Sequence, residues 1–210
     1  MIKAIIFDVD GVLVDSKEAN IALYQNILKK AGYPPVTREE ILSCFHLPLW
    51  QSLEKLTSSN DQAEIKRMWS MASNSSLRDS SLFNFPEGLE QILEELHKTY
   101  QLAIVTSRIK AGIEDVFSAK EIKHLFRVVV TFEDYKNPKP HPEPLRVALN
   151  KLGLSPTEAI YIGDSSVDID AAKAAGMRSI YLSTQLHDDA SVNINEFSEI
   201  LGAIKELSAL

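Results

Sequence analysis

Ala4-Ile5-Ile6-Phe7 is a continuous apolar run closed by an acid, the mark of a strand buried on both faces of a parallel sheet. Leu102–Val105, Val128–Val130 and Ala159–Ile162 repeat the pattern, and Ser179–Leu182 predicts a fifth strand. Between these runs the period changes. Leu89, Ile92, Leu93 and Leu96 recur at helical spacing, as do Leu145, Ala148, Leu149 and Leu152. Strands alternating with helices predict an α/β fold, a doubly wound parallel sheet.

The stretch between the first and second runs is far longer than one crossover helix needs. Ser16–Ala31 reads as a helix, with Asp15 and Glu18 spaced as a capping box and Gly32 as its stop. Thr37 begins a second helical pattern through Ile41, Leu42 and Phe45. Leu49, Leu53 and Leu56 continue it, followed by Ala63, Ile65, Met68, Trp69 and Met71, with Trp50, Trp69 and Met71 expected as core. No strand signal interrupts this run, so residues 16–83 are predicted to form an inserted helical subdomain. The Ser-rich stretch Ser73–Ser81 and Pro86 mark its return to the sheet. Residues 1–15 and 84–210 then make the α/β core.

Composition narrows the function. A formal charge of -7, from 29 acidic and 22 basic side chains, argues against a sequence-independent nucleic-acid binder, which needs a basic surface. The single cysteine, Cys44, excludes an internal disulfide and a multi-cysteine zinc site, as suits a reducing cytoplasm. Met1–Asp8 is too short an apolar stretch for a secretory signal, and no run approaches the roughly 20 apolar residues of a membrane span. A cytoplasmic protein with no membrane partner is expected.

In an open parallel sheet, ligands bind beyond the carboxyl ends of the strands, so the residues just after each run share one crevice. Asp8, Asp10 and Gly11 follow the first run, Thr106 and Ser107 the second, and Gly163, Asp164 and Asp168 the fourth; Lys139 lies in a loop after the third. Four carboxylates gathered there repel one another unless a cation neutralises them. A hard divalent ion such as Mg2+ fits, with Asp8, Asp164 and the carbonyl of Asp10 as ligands; calcium and manganese satisfy the same logic. Asp8 and Asp10 supply one carboxylate for covalent attack and a second for proton transfer. Thr106 and Ser107 can donate to phosphoryl oxygens, and Lys139 supplies compensating charge from a proline-stiffened loop, Asn137–Pro144.

The run Asp8–Ser16, with Thr106, Lys139 and Gly163–Asp168, resembles the four motifs of the haloacid dehalogenase superfamily, in order and across essentially the whole chain. The closest resemblance is to the branch of phosphoglycolate phosphatases, pyrophosphatases and β-phosphoglucomutases. It implies a Rossmann-like core with a helical cap, Asp8 as nucleophile, Asp10 as general acid and base, and Thr106 and Lys139 as phosphate binders. It further implies Asp164 as metal ligand and Asp168 as another metal-site carboxylate, direct or through water. An acid two residues past the nucleophile resembles the phosphotransferases rather than the dehalogenases. The mutases carry a glycine, arginine and serine pattern in the cap loop where this chain has Phe45-His46-Leu47-Pro48-Leu49-Trp50, which favours hydrolysis over transfer to a sugar.

The expectation is therefore a Mg2+-dependent phosphatase acting on a small phosphate monoester, phosphoglycolate-like or a sugar phosphate, through an aspartyl phosphate. The alternatives are a phosphomutase, an inorganic pyrophosphatase of the same branch, and a non-catalytic module that binds a phosphorylated metabolite. His46 is the candidate substrate contact from the cap, and the expected assembly is a monomer or weak dimer. Plainer roles compete at several positions: Thr106, Ser107 and Asp168 are of the type that caps helices, and Asp15 reads as a cap rather than a catalyst.

Overall fold

A computed structural model describes residues 1–45 and 47–209 of the chain. Within them the chain divides into two compact units, residues 1–15, 84–106 and 120–210 in one and residues 16–83 and 107–119 in the other.

The first unit is built on a parallel sheet. Among the described residues its strands are β1 (Ala4–Phe7), β2 (Gln101–Val105), β3 (Phe126–Val130), β4 (Ala159–Gly163), β5 (Arg178–Leu182) and β6 (Val192–Ile194), in the order β3-β2-β1-β4-β5-β6. Every pairing is parallel. The chain steps outward from β1 to β3 and then returns to place β4 on the other side of β1. That reversal makes the carboxyl ends of β1 and β4 the switch point at which such sheets open a crevice.

Both faces of the sheet are covered, which explains the unbroken apolar runs. Ala4 and Ile6, Ala103 and Val105, Val128 and Val130, and Ala159 and Tyr161 all point to one face by strand alternation. There they meet Leu145, Ala148, Leu149 and Leu152 of α7 (Glu143–Leu152) and Ala171, Ala172 and Ala175 of α8 (Ser166–Ala175). The alternate residues Ile5, Phe7, Ile104 and Ile162 are equally buried on the other face. α5 (Leu89–His97) packs on β2, and α9 (Ile200–Ser208) packs on β6.

The second unit is helical: α1 (Lys17–Ala31), α2 (Arg38–Leu42), α3 (Leu49–Thr57), α4 (Gln62–Met71) and α6 (Lys110–Ala119). Ile27, Leu28, Ile41, Leu53, Ile65 and Met68 form its interior. Thr37 begins α2 with a complete capping box to Glu40. The box expected from Asp15 and Glu18 is not made. Ser16 takes the N-cap position of α1, Glu18 pairs with Arg38 at 2.6 Å, and Asp15 exchanges backbone hydrogen bonds with Asn84, tying the two ends of the insertion together. Trp50, Trp69 and Met71, expected as core, are only half-buried, and the indole N–H of Trp50 donates to Glu54 at 2.9 Å. α6 joins this unit through Asp115, which pairs with Arg78.

Ile6 is fully buried in the central strand of the sheet. Ile6→Ala is expected to cost about 2–5 kcal/mol, read as a lower urea midpoint at unchanged slope.

Candidate active site

Asp8 is the first residue after β1, and its N–H donates to the carbonyl of Ile162 at 2.9 Å, so the sheet ladder runs up to the residue itself. The register pairs Phe7 with Ile104 on one side and Ile162 on the other. Asp8 thus emerges between the ends of β2 and β4, which carry Thr106 and Asp164. The chain then turns tightly: the N–H groups of Leu13 and Val14 both donate to the carbonyl of Val9, and that of Gly11 to Val14. Gly11 sits at φ 76°, where an L side chain is strained, and a Cβ there would lie 1.9 Å from Asp164 Oδ2. The turn needs glycine both for its dihedral and for the space that Asp164 occupies. At the end of β4, a Cβ on Gly163 would lie 2.3 Å from the Cβ of Asp168.

Lys139 is buried beneath these acids. Its Nζ lies 2.6 Å from Asp168 Oδ1, 3.1 Å from Asp8 Oδ2 and 3.0 Å from the hydroxyl of Tyr161, which donates in turn to Asp168 Oδ1 at 2.9 Å. The other oxygen of Asp168 accepts from the backbone N–H of Ser165 at 3.2 Å and from its hydroxyl, closing the capping box that starts α8. Asp168 is therefore a helix cap and an ion-pair partner at once.

Burial pushes the Asp8 carboxyl up to about 7; Lys139 pulls it down, while Asp168 and Asp10 push it further up. Burial, reinforced by Asp168 and Asp8, pushes Asp164 up to about 8 against the pull of Lys139. For Asp168 the same burial is outweighed by the Lys139 charge and by hydrogen bonds from Lys139, Ser165 and Tyr161, which hold it below the usual carboxylate value. Lys139 is held well above the ordinary ammonium value, because Asp168 and Asp8 outweigh the desolvation that opposes its charge.

Oxygens of Asp8, Asp164 and Asp168 lie within 4.8 Å of one another. Asp8 Oδ1 is buried and has no hydrogen-bond partner. A buried, unpaired carboxylate oxygen is costly, and its residue, grouped with two further carboxylates, suits a divalent cation. The donor set is all oxygen, which matches a hard ion.

Asp8, Lys139, Asp164 and Asp168 are thus brought together. Asp10, half-buried, is close enough for its charge to act on both Asp8 and Asp164. Thr106 is fully buried at the end of β2, its N–H bonded to Val130 and its carbonyl accepting from the Tyr135 hydroxyl at 3.2 Å. Ser107 belongs to the helical unit. His46 lies outside the described residues. Sequence reasoning missed Tyr161 and Ser165; a polar tip inside the otherwise apolar run Ala159–Ile162 was the available signal for the first.

A model of the family described as haloacid dehalogenase-like hydrolase matches residues 5–182. A protein named pyrophosphatase PpaX from Bacillus velezensis is 35% identical over 179 residues, covering 85% of this chain and 82% of the relative. A solved structure described as a hydrolase of the same superfamily, subfamily IA, from Geobacter sulfurreducens is 31% identical, with TM-score 0.78 and coverage of 97% and 100%. A β-phosphoglucomutase from Clostridium difficile superposes with TM-score 0.84 over 100% of this chain and 98% of that one at 22% identity, a likeness of fold.

The raised carboxyl groups fix a pH dependence. Burial pushes Asp8 and Asp164 up to about 7 and 8 from an ordinary 3.8, so across the window between those limits the native state holds protons that the unfolded chain has lost. Stability then falls as pH rises through it. The depressed Asp168 and elevated Lys139 act outside the window, at lower and higher pH respectively. With chelator present, the urea midpoint is expected to be lower near pH 8 than near pH 5, and saturating magnesium to narrow the gap by replacing those protons. A midpoint that rises over the same range in chelator contradicts this electrostatic account.

Proposed function

The chain belongs to the haloacid dehalogenase-like hydrolase family and is one of its phosphatases; we propose that it hydrolyses a small phosphate monoester by covalent catalysis at Asp8, with Mg2+ as its cation. The observation that carries this reading is the asymmetric treatment of Asp8, whose Oδ2 is held by Lys139 at 3.1 Å while its Oδ1 is buried and unpaired. One oxygen is fixed and the other is left for a ligand.

Asp8 and Asp164, with the backbone carbonyl of Asp10, would hold the cation; Asp168, whose oxygens are occupied by Lys139, Tyr161 and Ser165, supports the site through Lys139. Bound there, the cation offsets the charge of the carboxylates and of the phosphoryl oxygens. Asp8 attacks phosphorus in line, the bond to the leaving oxygen breaks, and Asp10 passes its proton to that oxygen. Lys139 and the Thr106 and Ser107 hydroxyls stabilise charge on the equatorial oxygens. Asp10 then takes a proton from water, which attacks the aspartyl phosphate, and orthophosphate leaves as Asp8 is restored. We read the helical residues 16–83 as a cap, with His46 as its candidate substrate contact. Among the described residues no helix is long and apolar enough to cross a membrane.

A second substrate, inorganic pyrophosphate, is favoured by the pyrophosphatase names of the Bacillus relatives, 35% and 30% identical. The chemistry differs only in the leaving group. Phosphate departs with less need of protonation than an alkoxide, so the part Asp10 plays in the first step separates the two readings.

Phosphate release is measured from a panel of small phosphate monoesters and pyrophosphate with magnesium. Asp8→Asn is expected to lower kcat roughly 10³-fold or more; retention of full activity by that variant removes the covalent mechanism. Asp10→Asn is expected to lower steady-state turnover of both substrates, because hydrolysis of the aspartyl phosphate needs its base, but to slow the first, phosphoenzyme-forming step by about 10²–10⁴-fold with a monoester and by clearly less with pyrophosphate, read as the burst rate; the better wild-type substrate names the physiological class.

A further inference from the structure

Tyr161 has no part in the steps above, yet it touches the residue on which they lean. It is fully buried in β4, its ring in the cluster with Ile6, Ala103, Val105, Leu149 and Ala172. Its hydroxyl accepts from Lys139 Nζ at 3.0 Å and donates to Asp168 Oδ1 at 2.9 Å, while Lys139 itself reaches that oxygen at 2.6 Å. The three groups close a ring in which each hydrogen bond restrains the other two.

An ammonium has three N–H donors; Lys139 donates to Tyr161 and Asp168, and pairs at 3.1 Å with a third oxygen, Asp8 Oδ2. Two of those acceptors keep their chemical identity throughout the reaction. The third is the nucleophile, an ion-pair partner at 3.1 Å that gains a phosphoryl group, so the side of the ammonium turned to Asp8 is the one that a phosphoryl oxygen meets. A lysine stem is flexible and carries about 2 kcal/mol of rotamer entropy. A tyrosine has two side-chain torsions, and this one is locked by the core around it.

We propose that Tyr161 is a positioning residue for phosphoryl transfer: its hydroxyl, shared between Lys139 and Asp168, aims the third N–H of Lys139 at the phosphoryl group. The role rests on the reading of Asp8 as nucleophile. Only a group that both accepts and donates closes the ring, and phenylalanine keeps the ring's volume without doing either. A misdirected ammonium costs the transition state, where charge and geometry are most demanding, more than it costs the bound substrate.

The test compares wild type, Tyr161→Phe, Lys139→Ala and the double variant in two assays with magnesium present. One is single-turnover phosphate release; the other is calorimetric binding of orthovanadate, a mimic of the five-coordinate transition state, beside binding of orthophosphate. Tyr161→Phe is expected to lower kcat roughly ten- to hundred-fold, with KM within about twofold and the amplitude of the single turnover intact. Vanadate affinity falls in parallel and orthophosphate affinity does not. In the Lys139→Ala background, adding Tyr161→Phe changes vanadate affinity by less than about twofold. A merely structural tyrosine would instead lower the amplitude and weaken both anions equally, and that result overturns the proposal, as does unchanged kcat and vanadate affinity or an equal further loss in the double variant. Vanadate binding needs no turnover: a wild type that releases no phosphate, yet loses vanadate affinity on Tyr161→Phe, refutes the phosphatase reading and leaves only the alignment of Lys139 toward a bound oxyanion, whereas unchanged vanadate affinity in an active enzyme refutes the positioning role alone. If Tyr161→Phe does not fold, 4-fluorophenylalanine at residue 161, which fills the hydroxyl's space without donating, gives the same comparison.

Discussion

The buried ammonium of Lys139, only 4% exposed and shared among Asp8, Asp168 and Tyr161, is the interaction on which the rest of the site depends. Taking an ion out of water costs several kcal/mol, and the cost is offset only where geometry and further hydrogen bonds are good. Here the ammonium donates to Tyr161 and Asp168 and pairs with Asp8, and the partner Asp168 is itself held by Ser165 and Tyr161. The pair is thus well satisfied from below, and its open side is Asp8. Removal of the ammonium would leave acids facing one another in a desolvated space, the situation in which carboxylates take up protons and cease to act as nucleophile or ligand.

That arrangement exists because of sheet order. β1 lies between β2 and β4, strands far away in sequence, and the register sets Asp8 beside the ends of both. Close packing does the remainder. Gly11 and Gly163 lack the atoms that would collide with Asp164 and Asp168, so Asp164 stands against the turn that carries Asp10 and Asp168, in the first turn of α8, stands against the end of β4. The bulk of the fold, with both faces of the sheet buried, makes this end of the strands a fixed frame rather than a set of mobile loops.

Much of this was legible in the chain. Apolar runs of four or five residues marked β1 to β5 because strands buried on both faces cannot alternate, and the helical spacing at Leu89–Leu96 and Leu145–Leu152 marked α5 and α7. β6 escaped notice because Val192–Ile194 is three residues long, holds a central asparagine and pairs on one side only. α6 and α9 were not singled out. The gathering of Asp8, Lys139, Asp164 and Asp168 followed from the rule that such sheets bind ligands past their carboxyl ends. What sequence could not give was the division of labour among the acids. Asp168 looked like either a cap or a metal-site carboxylate, and three-dimensional structure shows one carboxylate capping α8 with one oxygen and pairing with Lys139 through the other. Tyr161 read as one more apolar residue because its hydroxyl matters only once β4 is laid beside the loop of Lys139.

The same acids that suit the site to a cation make it costly without one. Asp8 and Asp164 are pushed up to about 7 and 8, whereas Asp168, more deeply buried than either, is held low. Burial alone cannot explain the difference, since all three are desolvated. The Lys139 charge and hydrogen bonding can: Lys139 lies closest to Asp168, which also accepts from Lys139, Tyr161 and Ser165, while Asp8 keeps one oxygen without a hydrogen-bond partner. The chain could have satisfied that oxygen with a nearby hydroxyl and gained stability, but a satisfied Oδ1 would leave no place for a cation. The strain at Asp8 is therefore the structural counterpart of its chemistry: a carboxylate held in place by one oxygen, and left incomplete at the other, is at once a metal ligand and a nucleophile.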